Sequence, residues 1–333
     1  MKAIRVEKYG GPEVLQLENV APIEEPGPGQ AVVRVVAAGV NFMDVGQRRG
    51  TYPREVPFTP GAEGAGVVES VGQGVSNVRP SDRVAFTGLP GAYAEAIVAD
   101  ATRLIPLPDD FTFEQGAAFP LQGMTAHYLI HEFREPKAGD FVLVHAAAGG
   151  MGGLLVQWAR HLGTTVIGTT STEEKARTAR EAGAEHVIVY TDEDFVAETK
   201  RITNGHGADL IIDGVGRSTF KGDLEAVAIR GNIVIFGAAS GPADAISPNA
   251  LMPRAVTVSG GSLQNFIRTR EELMRRANDV IEGIHQGWLK LNIGAVLPLE
   301  QANEAHQLLE SRKTQGKLVL SVAASRQAVG VRG

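Results

Sequence analysis

The sequence predicts an α/β protein of two domains, an antiparallel, barrel-like domain of short strands interrupted by a doubly wound parallel sheet wrapped in helices. Three observations predict it. Short apolar runs before residue 110 are broken by frequent Gly and Pro. Strand-like and helix-like segments then alternate regularly from residue 141 to residue 237. The chain of 333 residues is too long for one average domain and comfortable for two.

The elements follow in order. Residues 2–6 and 31–37 read as strands, with Pro22, Pro26, Gly27, Pro28 and Gly29 marking the loops between them. Residues 66–72 and 82–86 add two more, separated by the turn formers Gly72, Gly74, Asn77 and Pro80. From Thr112 the pattern is helical, over 113–118 and again over 125–130. Phe141 to Val144 is an apolar run suited to a strand covered on both faces. Strands at 165–169, 186–190, 209–213 and 232–237 alternate with helices, including Glu173 to Ala182 and Asp194 to Ile202. Val256 to Ser259 closes the sheet, and Thr269 to Gln286 has the spacing of an amphipathic helix. A strand at 295–299, a helix from Glu300 to Ser311 and a final strand from Lys317 return the chain to its first domain. The expected domains are therefore 1–122 with 261–333, and 123–260.

Composition narrows the partners. With 43 % hydrophobic and 21 % charged residues the chain is an ordinary globular protein, and its net charge of −6 offers no basic footprint for nucleic acid or anionic lipid. A small-molecule ligand is expected instead. Lys2, Arg5 and Glu7 interrupt the apolar core that a signal peptide would need, which predicts a cytoplasmic protein. The absence of cysteine excludes disulfides, thiolate catalysis and cysteine-ligated metals.

The most informative stretch follows the strand at 141–144. Ala146 to Gly153 is a run of small residues broken only by Met151, and it opens a predicted helix. Read as A-x-G-x-x-G, it places Gly149, Gly150, Met151 and Gly152 where backbone can approach a bound pyrophosphate, with helix N–H groups aimed at the anion. At the end of the second strand an acidic residue would bind a free ribose 2′-hydroxyl and repel a 2′-phosphate. Thr170 and Ser171 stand there instead, and Lys175 lies one turn into the next helix, so NADPH is the expected cofactor.

These segments carry a family resemblance. The motif from Val144 to Gly152, the early Ala38-Gly-Val-Asn41-Phe-Met-Asp44, Gly61-Ala-Glu63-Gly-Ala-Gly66 and the late stretch from Leu309 to Leu320 resemble the quinone oxidoreductase (zeta-crystallin-like) branch of the medium-chain dehydrogenase/reductase superfamily. The resemblance spans nearly the whole chain. It implies a GroES-like catalytic domain interrupted by a Rossmann NADPH-binding domain. It further implies that Lys175, Tyr190 and Arg312 surround the 2′-phosphate, that Gly150 and Met151 form the pyrophosphate turn, and that Phe236, Gly237, Leu263 and Thr125 lie near the nicotinamide.

The same resemblance exposes a missing metal. In the zinc-dependent alcohol dehydrogenases of this superfamily a cysteine stands where this chain has Asn41, and a histidine where it has Ala62. Without zinc to stabilise an alkoxide, simple alcohol oxidation is not expected. A quinone or another conjugated carbonyl delocalises the incoming charge itself and needs only binding, orientation and a proton. Asn41 and Tyr52 are candidate hydrogen-bond or proton donors, with Asp44 and Thr125 in support. An enoyl-thioester or 2-alkenal reductase resembles the chain equally in Gly50-Thr-Tyr52-Pro53, and an NADPH-binding sensor or structural protein is the alternative of another class. His127 and His131 share a helix face at metal-binding spacing, but nothing around them adds a third ligand, so packing is the expected role. Val256 to Gly261 suits pairing with a symmetry mate at a sheet edge, which predicts a homodimer. Lys317 fits a phosphate contact and a strand start equally well, and receives no role.

Overall fold

A computed structural model describes residues 1–311 and 315–322. The chain folds into two compact units, Met1–Leu121 with Ile293–Gly333, and Gln122–Asn292.

The first unit is built on one long strand. After the antiparallel pair β1 (Lys2–Arg5) and β2 (Gln16–Asn19), β3 (Gln30–Val40) runs for 11 residues and leads into α1 (Phe42–Arg49). Then come β4 (Glu63–Val71), β5 (Arg83–Thr87), β6 (Ala96–Asp100) and β7 (Ile105–Pro106). Strand β3 pairs antiparallel with β4 along most of its length and with β6 over its first half, while β4 continues to β5 and β5 to β7. Consecutive buried residues at 31–33 and 37–40 show that both faces of β3 are covered, and its Val33, Val35 and Val40 are buried with Phe86, Ile97 and Leu104 in one core. Gly50, at φ +80°, ends α1 in the left-handed conformation that glycine adopts without strain.

Two helices, α2 (Phe113–Gly116) and α3 (Pro120–His131), lead to the second unit. There the alternation is realised as β8 (Phe141–Val144), α4 (Gly150–His161), β9 (Thr165–Thr170), α5 (Glu173–Ala182), β10 (His186–Val189), α6 (Phe195–Ile202), β11 (Ala208–Asp213), α7 (Phe220–Ala226) and β12 (Val227–Ile235). With β13 (Thr257–Gly260) these strands form an all-parallel sheet in the order β10-β9-β8-β11-β12-β13. Leu143, Ile167, Ile188, Ile211 and Ile233 form its buried layer. Strand order reverses between β8 and β11, and in such sheets the crevice at the carboxyl ends beside the reversal is where ligands bind.

One expected boundary moves. The second unit does not end at residue 260 but continues to Asn292, because α8 (Arg270–His285) packs on α3. His127 Nε2 meets Asp279 Oδ2 at 2.8 Å, Arg276 pairs with Glu132, and a Cβ added to Gly123 would lie 2.7 Å from Val280 Cγ1. Amphipathic spacing shows that a helix has an apolar face, not which core receives it.

The chain then returns to the first unit through β14 (Ile293–Pro298), α9 (Ala302–Glu310) and β15 (Lys317–Ser321). Strands β14 and β15 are parallel and so need the intervening helix as a crossover. Strand β15 completes the sheet by pairing antiparallel with β3, Leu318 opposite Val40 and Leu320 opposite Ala38. This pairing delivers Lys317 beside the end of β3.

Candidate active site

In the second unit the small-residue run after β8 sits at the strand-order reversal. Ala146 takes φ +52°, Gly149 caps α4 without a side chain, and no side-chain acceptor satisfies the first turn of this 12-residue helix. Its leading N–H groups, on Gly150, Met151 and Gly152, are thus open to an anionic ligand. Gly152 has a separate reason to be glycine, since a Cβ there would run into the Ala146 carbonyl oxygen and the Ala147 backbone. Beneath the turn, His145 is held from both sides: Nε2 is 2.7 Å from Asp223 Oδ1 and Nδ1 is 2.9 Å from Thr169 Oγ1. Burial pushes the Asp223 carboxyl up to about 6 even though His145 hydrogen-bonds it and draws it down.

The neighbouring strand end carries the residues expected to choose the cofactor. Val189 pairs with Thr170, the Tyr190 N–H donates to the Thr170 carbonyl at 3.0 Å, and Thr191 Oγ1 donates to the Ser171 carbonyl at 3.2 Å. Ser171 and Tyr190 therefore share one edge, with Tyr190 53 % exposed, and Lys175 follows in the first turn of α5, where its N–H donates to Thr172 Oγ1. Thr170 is buried and its hydroxyl turns to the Thr172 carbonyl, so it shapes the edge rather than facing solvent. The Glu173 carboxylate pairs with Arg180. Beyond β12, Phe236 covers Gly214 and Gly237 lies against the Gly214 backbone, on the β11 side of the reversal. Leu263 is buried. Thr125 is half-buried in the middle of α3. Arg312 lies outside the described residues.

In the first unit Asn41, Glu63 and Lys317 meet in a buried cluster. Lys317 Nζ donates to Asn41 Oδ1 at 2.6 Å and to Glu63 Oε2 at 2.5 Å, and Asn41 Nδ2 donates to the same Glu63 oxygen at 3.0 Å. Glu63 Oε1 accepts the Leu121 N–H at 2.6 Å. A buried carboxylate is tolerable when paired and fully hydrogen-bonded, as this one is. At the start of α1, Asp44 reaches back to the cap residue, its Oδ2 accepting the Asn41 N–H at 2.9 Å. Ala62, at the other expected ligand position, is buried and donates nothing. This set does not fit zinc, because an ammonium occupies the oxygen donors and no cysteine exists to replace them. Among the described residues no group of three His, Asp or Glu is placed to hold a metal ion.

Asp44 begins a second buried chain. Its Oδ2 accepts from Tyr93 Oη at 3.2 Å, Tyr93 Oη lies 3.2 Å from His306 Nε2, and His306 Nδ1 lies 3.5 Å from Arg48 Nη1. A guanidinium only donates, so His306 Nδ1 accepts and its proton sits on Nε2, pointing at Tyr93. Burial, reinforced by Arg48, pulls the His306 pKa down to about 3, so the ring is neutral. Burial pushes the Asp44 carboxyl up to about 7, against the lowering effect of the Asn41 N–H, Lys317 and Tyr93. Its Oδ1 has no partner.

The sign of the resulting pH dependence is fixed. A carboxyl raised from 3.8 to about 7 on folding adds stability that is complete below 3.8 and lost as pH rises through 7. Asp44→Asn mimics the protonated acid. The variant is expected to gain on the wild type by about 2–4 kcal/mol between pH 4 and pH 7.5, read from urea denaturation, with no further change above. Taking the difference removes the opposite slope of His306. Parallel stability curves would show that Asp44 does not titrate in this window.

Tyr52 stands apart from both chains, 55 % exposed beside Gly46, and Phe42 at the head of α1 is exposed to the same degree. His131 bonds Glu135 and Trp158 through its two ring nitrogens, and His127 bonds Asp279, as expected of packed histidines. Sequence reasoning missed Lys317, Tyr93, His306 and the His145–Asp223 pair. Lys317 alone left a signal, as a lone charge opening an otherwise apolar strand.

Known proteins resemble the chain along nearly its whole length. Residues 27–109 match the model of the alcohol dehydrogenase GroES-like domain, and residues 150–279 that of the zinc-binding dehydrogenases. The chain is 40 % identical over 322 residues to a quinone oxidoreductase of Pseudomonas aeruginosa, covering 96 % of this chain and 99 % of that one. It is 39 % identical over 325 residues to a 2-haloacrylate reductase of Burkholderia, covering 95 % and 97 %. The crystal structure of Escherichia coli quinone oxidoreductase complexed with NADPH superposes with a TM-score of 0.92 at 39 % identity, covering 97 % of this chain and all of that one.

Proposed function

The chain belongs to the quinone oxidoreductase family of the medium-chain dehydrogenase/reductase superfamily, and from that membership we propose that it is a zinc-independent reductase using NADPH to reduce a quinone or a related conjugated carbonyl. The observation that carries this reading is the uncapped turn at Gly149–Gly152, beside a strand end that presents Ser171, Lys175 and Tyr190 and no unpaired carboxylate from Glu173. The first-turn N–H groups of Gly150, Met151 and Gly152 hold the pyrophosphate, and Ser171, Lys175 and Tyr190 hold the 2′-phosphate, with Arg312 and Thr170 assigned to the same region. Phe236, Gly237, Leu263 and Thr125 border the nicotinamide.

When bound, NADPH supplies the hydride. The protein then has to orient the acceptor, hold negative charge on its oxygen and admit one proton, since a quinone with one hydride and one proton becomes a hydroquinone. Asn41 donates a hydrogen bond to the acceptor oxygen, and the exposed Tyr52 hydroxyl is the proton donor or relays one from water. Asp44 acts one step back, by fixing the backbone at Asn41. The 2-haloacrylate reductase favours a second reading, reduction of a conjugated carbon–carbon double bond as in 2-alkenals or enoyl thioesters.

Steady-state oxidation of NADPH with quinones, 2-alkenals and 2-enoyl thioesters tests this. Quinones are expected to turn over; oxidation with alkenals or thioesters alone would select the second reading. Tight NADPH binding without turnover on any acceptor would make the protein a sensor or structural protein. Lys175→Ala is expected to weaken NADPH about 10–100-fold and NADH hardly at all, as the loss of one charge-assisted phosphate contact predicts. Equal weakening would remove Lys175 from the 2′-phosphate site. No helix among the described residues is long and apolar enough to cross a membrane. Among the described residues strand β13 is the last strand of the six-stranded sheet, and pairing of two such edges makes the homodimer we expect, detectable by sedimentation.

A further inference from the structure

In the zinc-dependent alcohol dehydrogenases that this chain resembles a cysteine ligand stands at the position of Asn41, and here Asn41 is met instead by Lys317, 276 residues further along the chain. Lys317 is 3 % exposed, Glu63 0 % and Asn41 6 %, so the three groups meet away from water. An ammonium only donates and a carboxylate only accepts. With Nζ 2.6 Å from Asn41 Oδ1 and Glu63 Oε2 3.0 Å from Asn41 Nδ2, the carboxamide has a single orientation. Rotating it by half a turn would set its NH₂ against an ammonium and its oxygen against a carboxylate, two repulsions in a desolvated site. One amide hydrogen is engaged by Glu63; the other has only Gly39 O at 3.4 Å, a long contact that an acceptor oxygen can outcompete. Lysine polarises the carbonyl end of the same amide and so strengthens the remaining donor.

We propose that Lys317 is a positioning residue for acceptor reduction: its ammonium replaces the missing metal as the fixed cation of the site and holds Asn41 as a one-way hydrogen-bond donor. Lys317 itself stays on Asn41 and Glu63. The inference rests on the reading of Asn41 as the group that meets the acceptor oxygen.

Removing lysine alone would strand the Glu63 carboxylate and endanger folding, so the two charges are removed together as Glu63→Gln with Lys317→Met. In this pair variant the glutamine can both donate and accept, and Asn41 loses its enforced orientation. Quinone-dependent kcat is expected to fall about tenfold or more, with the NADPH Kd unchanged within about twofold. Adding Asn41→Ala to the pair variant is expected to cost nothing beyond what Asn41→Ala costs alone, because both changes remove the same donor. Independent of any turnover, exchange of the Asn41 side-chain amide hydrogens, followed by ¹⁵N NMR in D₂O, is expected to be slow in the wild type and accelerated in the pair variant.

The outcomes separate the two ideas. A wild-type protein that reduces no acceptor would end the functional reading, while the exchange rates would still decide the orientation. Wild-type exchange rates in the pair variant, or additive losses of kcat with Asn41→Ala, would overturn the role of Lys317.

Discussion

Gly152→Val is expected to weaken NADPH binding by about tenfold to a hundredfold, measured by titrating cofactor fluorescence. A Cβ at this position would sit 2.7 Å from Ala147 Cα and closer still to the Ala146 carbonyl oxygen. These are backbone atoms of the strand-to-helix turn and cannot swing aside. Helix α4 would have to back away from β8, and the N–H groups of Gly150 and Met151 would move with it. Overpacking of this kind costs about 1–3 kcal/mol, which appears in both cofactor affinity and stability. One residue further on, nothing lies within 4 Å of a Cβ built at Gly153. Gly153→Ala should therefore raise stability by about 0.5–1 kcal/mol through helix propensity alone. Unchanged NADPH affinity in Gly152→Val would mean that the turn does not have to approach α4 for binding.

His145→Leu is expected to destabilise the fold by about 3–5 kcal/mol at pH 8, read from urea denaturation. The imidazole is the partner of Asp223 Oδ1, and Asp223 is fully buried with its other oxygen unpaired. Leucine fills the space and leaves the carboxylate stranded. The carboxyl, already raised to about 6 by burial, would rise further without His145, since that partner lowers it. A raised carboxyl adds stability at low pH that is lost as pH climbs through its folded pKa, so the loss should be smaller at pH 5.5 than at pH 8. His145→Gln, which keeps a donor toward Asp223, should recover most of the stability. Equal losses at the two pH values would show that cavity and packing terms, rather than the stranded charge, set the cost.

Much of the architecture was legible without coordinates. The helix at Glu173–Ala182 and the strands at 165–169, 186–190 and 209–213 fall where apolar periodicity and their capping residues put them, because both are short-range properties. The small-residue turn was legible for the same reason. The boundary at residue 292 was not, because the apolar stripe of Leu273, Ala277 and Val280 fits any apolar surface and only packing on α3 assigns it.

By itself the sequence determined the order of strands and helices, the small-residue turn after β8, the lack of an acidic residue where β9 ends, and the absence of every thiolate metal ligand. Tertiary structure alone decided what the buried polar side chains do. Asn41, a candidate donor, is held in place by Lys317 and Glu63; Thr170 was chosen for its hydroxyl, which turns inward; and Lys317, given no role, is buried against Asn41 and Glu63. The reason is physical: a buried charge must find its counter-charge in space, and for Lys317 that partner, Glu63, lies 254 residues away along the chain. No local pattern can report a pairing over that distance, which exists only once β15 has docked against β3.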